Sequence, residues 1–293
     1  MELFRALGAL SEQPRPELQR IADVLGLGAL PAPAVHSDLF LFQLYPYASV
    51  YLGAEGMLGG EARDRIAGFW RALGEAPPAE PDHLALMLAL HARVGELEAA
   101  APHRSEAWRH ARRAHLWEHL LSWLPGFLEK LGELADPFYD RWASLLGETL
   151  REEAELVGGP ERLALHLREA PGLADPERDG LEPFLQSLLT PVRSGMILTR
   201  ADLSRAADQL GLGLRLGERR WVLRALFEQA AAPVLQWLAG EASRWALRHG
   251  SGLHLAAEPA AFWRSRAETT AHLLLRLRAG INPPDCQTRP ATG

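Results

Sequence analysis

Residues 80–97 read Glu80-Pro-Asp-His83-Leu-Ala-Leu-Met-Leu-Ala-Leu-His-Ala-Arg-Val-Gly-Glu-Leu97. After Asp82, the positions Leu84, Met87, Leu88, His91, Val94 and Leu97 recur three or four apart. That period puts them on one side of an α-helix. Asp82 stands where an N-cap would. Before it, Glu75 to Pro81 holds three prolines and no apolar period, which predicts a stiff connection between two helices.

The helical period continues on both sides. Ile66, Phe69, Trp70 and Leu73 share a face within 61–74. Trp108, Ala111, His115, Leu116, His119 and Trp123 share another, on a helix opening at Ser105 that Pro125-Gly126 must end or kink. Asp136-Pro137 opens a further helix with Trp142, Leu145, Leu146, Thr149 and Leu150 on its stripe. Later helices are expected at about 199–210, with Thr199 as cap, and at 218–230, 233–249 and 259–279. No segment alternates with a period of two. Leu, Ala, Arg and Glu dominate while Ile, Val and Tyr are scarce, so the expected fold class is all-α.

The chain has 293 residues, 47% hydrophobic and 23% charged, an ordinary globular balance. Its single cysteine, Cys286, permits no internal disulfide and no cysteine-based metal motif, which fits a cytoplasmic location. The first residues lack the basic start and apolar run of a signal peptide. No apolar stretch approaches the length of a membrane span. Charge is unevenly spread: residues 1–189 carry 17 basic and 29 acidic groups, a net of −12, and residues 190–280 carry 13 and 7, a net of +6. An acidic body attracts basic ligands, and the two parts also attract each other.

Four constellations could carry function. Glu80-Pro81-Asp82-His83 reads as a rigid corner presenting ionisable groups to a groove, or as a helix start with a polar first turn. Tyr45, Tyr47 and Tyr51, three of the four tyrosines, read as an aromatic wall or as core. His115-Leu-Trp-Glu-His119 matches the H-x-x-E-H pattern, in which two imidazoles on one helix face bind zinc and Glu118 is the general base. A zinc-dependent hydrolase is therefore one alternative. Residues 199–230 could form a helix-turn-helix carrying Arg219, Arg220 and Arg224, making a DNA-binding regulator another. Trp221, Val222 and Phe227 on the same helix favour burial and a docking role instead, without nucleic acid.

The acidic-Pro-Asp-His corner, the His119-Leu120-x-x-Trp123 element and the segment from Tyr45 to Gly53 together resemble the TorD/DmsD/NarJ family of redox-enzyme maturation chaperones. The family pattern usually has one more residue between Pro and Asp than Pro81-Asp82, so Asp82 and His83 transfer more securely than Glu80. The resemblance implies a TorD-like helical bundle over residues 1–187, with a hinge near 75–83. Residues 188–280 form an additional helical module, and 281–293 are expected to be a disordered tail. It also implies a non-enzymatic protein without cofactor. Such a chaperone binds the catalytic subunit of a molybdenum oxidoreductase, as the apo-form or through its twin-arginine signal peptide, and acts as a monomer or homodimer. The implied partner-binding residues are Glu80, Pro81, Asp82, His83, His119, Leu120, Trp123, Tyr45, Tyr47 and Tyr51.

Overall fold

A computed structural model describes residues 1–134, 136–160, 162–251 and 257–281. Of the expected tail 281–293, Ile281 is the last residue of a helix and the rest lies outside the described residues. Among the described residues every regular element is helical, and the fold is all-α. The helices that position the site are α1 (Glu2–Leu10), α2 (Ala48–Leu52), α3 (Gly60–Ala72), α4 (Leu84–Ala100), α5 (Ser105–Ala114), α6 (Leu124–Glu133) and α7 (Pro137–Val157). They are followed by α8 (Leu181–Leu188), α9 (Pro191–Ser194), α10 (Arg200–Leu210), α11 (Arg219–Ser251) and α12 (Ala257–Ile281).

The predicted stripe of α4 is the side that packs: Leu84, Met87, Leu88, His91 and Val94 are all buried. Gly8 of α1 lets that helix approach closely, since a Cβ there would stand 3.0 Å from the Ala85 carbonyl oxygen. On the other side of α1, the Trp142 indole of α7 donates to the Leu7 carbonyl at 3.0 Å.

One expectation is corrected here. The helix carrying His115 and His119 is not a continuous α-helix: after Ala114 it widens into a π-helical turn over His115–Leu120, and Pro125 sits in the first turn of the new helix α6. Proline fits there because the first turn needs no N–H. Earlier in the chain, a short α-turn over Pro33–Ser37 runs into a second π-turn over Asp38–Gln43.

The later residues pack onto the earlier ones through a continuous core reaching from Phe4 to Leu274. Lys130 of α6 and Asp202 of α10 form a buried ion pair at 2.7 Å. The Trp263 indole of α12 donates to the Ser122 carbonyl at 2.9 Å. Helix α11 is two helices meeting at Ala230 (φ −157°, ψ 76°), three residues before Pro233, whose missing N–H breaks the ladder there. Where α9 ends, Gly195 takes φ +74°, and a Cβ would fall 2.3 Å from the Ala267 amide nitrogen of α12. The backbones touch because glycine permits both the conformation and the approach.

Candidate partner-binding surface

The acidic-Pro-Asp-His corner and the tyrosine segment are brought together by backbone. Tyr47 and His83 form the one isolated β-bridge among the described residues. The Leu84 amide donates to the Pro46 carbonyl at 2.8 Å and the Ala48 amide to the Asp82 carbonyl at 3.0 Å. Both segments are the non-helical entries to helices, α2 and α4, so their backbone groups are free to pair with each other.

Side chains reinforce the bridge. The Tyr47 hydroxyl donates to a carboxylate oxygen of exposed Glu80 at 2.9 Å, and its ring stands edge-on to His83 at 4.8 Å. Burial and the Glu80 carboxylate push the Tyr47 hydroxyl up to about 12, so it remains a donor. Burial lowers His83 from its ordinary value, against the opposing pull of Glu12, Glu80 and Asp82. The neutral imidazole is put to structural use: its Nδ1 accepts from the Ala85 amide at 3.3 Å and caps α4.

Asp82 is therefore not the cap of α4 that the local sequence predicts. Its carboxylate, 2% exposed, turns to the other helix and accepts from the Ser49 amide at 3.3 Å, in the first turn of α2. A capping acceptor from a distant segment ties the two helix entries into one unit.

The ten predicted contact residues divide by depth. Glu80 is exposed, and Tyr45, Tyr47 and His83 are half-buried. Pro81 and Asp82 are buried at the bend. Tyr51, His119, Leu120 and Trp123 lie in the core, each at 6% exposure or less. They do not face a groove as the sequence suggests. They back the surface instead: Tyr51 stacks on Trp123 at 5.0 Å and 15°, and the Trp123 indole donates to the His119 carbonyl at 2.8 Å. The Tyr51 hydroxyl reaches forward to the Tyr45 carbonyl at 2.8 Å.

Sequence reading missed the polar cluster behind this layer. Glu153 of α7 receives two bonds from Arg112, at 2.5 and 2.6 Å, and one from His91 Nε2 at 2.7 Å. His91 in turn contacts His115 Nδ1 through its own Nδ1 at 3.3 Å. Facing a carboxylate, His91 carries its proton on Nε2, so its Nδ1 accepts and His115 donates from Nδ1. The Nδ1 of His115 is thus taken by His91, while its buried Nε2 has no hydrogen-bond partner. Its ring lies 5.7 Å from that of His119, and among the described residues no three His, Cys, Asp or Glu are grouped to hold a metal. Burial drives His115 well below its ordinary value and His119 down to about 4.

The helix-turn-helix reading fares no better on geometry. Arg219 is turned inward to the Leu198 carbonyl at 2.6 Å, and Arg224 is paired with Glu182. Two of its three arginines are thereby withdrawn from a recognition face.

Comparison with known proteins agrees with this architecture. Residues 12–129 match the family model described as the nitrate reductase delta subunit. The chaperone protein TorD of Vibrio vulnificus strain YJ016 is 34% identical over 167 residues, covering 50% of this chain and 77% of that protein. The TorD of strain CMCP6 is 33% identical over the same shares. The TorD of Shewanella amazonensis is 31% identical over 140 residues, 39% of this chain and 56% of that protein. An all-helical chaperone rather than an enzyme is the class these findings define. The chain belongs to the TorD family, whose members serve the maturation of molybdoenzymes. No helix among the described residues is long and apolar enough to cross a membrane.

Proposed function

We propose that this protein is a cytoplasmic chaperone that holds a molybdenum-cofactor oxidoreductase during assembly by binding the basic twin-arginine signal peptide of its catalytic subunit. The observation that carries the reading is the Tyr47–His83 bridge with the exposed Glu80 carboxylate at its edge. Tyr45, Tyr47, Glu80 and His83 form the contact layer, held by Pro81 and Asp82 and supported from behind by Tyr51, His119, Leu120 and Trp123. A carboxylate beside aromatic faces suits a guanidinium, which pairs with the first and stacks on the second. The surrounding acidic body, net −12 over residues 1–189, steers a basic peptide towards it.

The test is titration of the full chain with the labelled twin-arginine signal peptide of the host's molybdoenzyme, and with the same peptide carrying two lysines. Glu80→Gln removes one exposed charge pair and is expected to weaken the arginine peptide up to about fivefold with an unchanged melting temperature. Equal binding of both peptides by the Gln variant and the unaltered chain would refute the assignment.

A further inference from the structure

A second cleft, distant in character from the tyrosine surface, opens between the segment 162–173 and helix α12, with a volume of 740 Å³. Four arginines line it: Arg162, Arg168, Arg193 and Arg266. Glu258 is the one carboxylate among its described lining residues.

Some arginines of this chain bond to carbonyls, as Arg141 and Arg219 do, and others find carboxylates, as Arg112, Arg205, Arg224, Arg244 and Arg276 do. The four of the cleft are not among the latter. Arg168 Nε donates to the Leu163 carbonyl at 3.1 Å, Arg193 Nε to the Gly172 carbonyl at 3.0 Å, and Arg266 to the Ala170 carbonyl. Among the described residues none of the four is in an ion pair. Carbonyl bonds aim a guanidinium without neutralising it, so the cleft keeps its positive charge on a chain of net −6. The charges oppose each other as well: burial, and then Arg193, lower Arg266 from its ordinary value.

The depth profile separates charge from apolar surface. Arg162 and Arg168 are exposed, while Phe262, Leu163 and Leu173 are half-buried and fully buried Leu167 lies beneath them. A charged rim around an apolar centre is the anatomy of a protein–protein contact. A phosphate-bearing ligand needs the cations but not the apolar base.

We propose that this cleft docks an acidic segment of a partner protein, one that alternates carboxylates with large apolar side chains. Carboxylates of the segment meet the four guanidinium groups, and its apolar side chains cover Phe262, Leu163 and Leu173. The chaperone then has two surfaces of opposite sign, one for a basic peptide and one for an acidic segment.

The probe is a fluorescein-labelled helical peptide of about 15 residues, some 22 Å long, with Leu and Phe three or four apart and Glu elsewhere. A counterpart has Lys for every Glu. Binding to the full chain is followed by anisotropy at low salt. The acidic peptide should bind, and the double variant R162Q/R168Q should weaken it about tenfold through two lost exposed pairs. Phe262→Ala should weaken it independently, and Glu80→Gln should leave it unchanged, with unaltered melting in R162Q/R168Q and Glu80→Gln. The lysine counterpart should be indifferent to R162Q/R168Q. Absence of acidic-peptide binding by the unaltered chain would overturn the proposal, as would R162Q/R168Q and Phe262→Ala binding the acidic peptide as tightly as the unaltered chain. Tight binding of inorganic pyrophosphate, lost in R162Q/R168Q while the acidic peptide fails to bind, would reassign the cleft to a phosphate-bearing ligand.

Discussion

Glu153→Gln preserves shape and removes one charge from the most enclosed polar cluster of the fold. The Glu153 side chain is 4% exposed, His91 is fully buried and Arg112 is 10% exposed. Burial alone would raise the Glu153 carboxyl. The bonds from His91 and Arg112 overcome this and hold it down to about 2, against an ordinary value of 4.5. That difference corresponds to about 3 kcal/mol of stability. In the Gln variant an amide NH₂ faces the Arg112 guanidinium, donor against donor, and Glu98 at 3.1 Å is the remaining carboxylate on Arg112. A loss of about 3 kcal/mol is expected at pH 7, from the uncompensated buried cation. The sign with pH follows from the depressed carboxyl. Its stabilisation is complete above 4.5 and fades as pH falls towards 2, where a protonated Glu153 resembles Gln. Urea melts of both proteins at pH 7, 5 and 3 should therefore converge in acid. A pH-independent gap, or no gap at pH 7, would refute the electrostatic account.

Trp123→Ala should cost about 4 kcal/mol in urea unfolding, because a buried indole stacked on Tyr51 leaves a large cavity; peptide affinity of the folded fraction should change far less. Asp82→Ala should cost about 1 kcal/mol as a lost cap of α2, while weakening the signal peptide more strongly by releasing the bridged segments, seen by comparing melting with titration. Gly195→Ala should cost roughly 4 kcal/mol, combining a left-handed residue with a Cβ driven into the Ala267 backbone. Gly211→Ala, left-handed at φ +66° with nothing within 4 Å, is the control and should cost about 1–2 kcal/mol.

Much of the helical content was legible because it rests on period. The α4 stripe from Leu84 to Val94 and the Thr199 cap of α10, with Asp202 completing a reciprocal capping box, are local and were readable. The π-turn at His115–Leu120 was not, since its residues fit an α-helical stripe equally well and only the packing of His115 against His91 and Phe69 distinguishes them. Asp82 shows the same limit. Local chemistry makes it the cap of the helix it precedes, and a tertiary partner, Ser49, took it instead. Glu153 meets His91 across 62 residues and Arg112 across 41, separations at which a single sequence carries no pairing signal. At the candidate surface, the types of residue were legible and their depth was not: Tyr47 and Tyr51 lie four apart, yet one faces outward and the other is core.

The contact of Gly195 with Ala267 also bears on the order of synthesis. Chains are made and begin folding from the N-terminus. The Ser194 carbonyl and Gly195 are covered by Thr270 and Ala267, which belong to the last described helix. Until that helix emerges, the floor on which it will sit is open to water. A nascent chain stopped after α11 therefore presents the bare backbone of Ser194 and Gly195, the exposed surface that a folding intermediate offers to proteases.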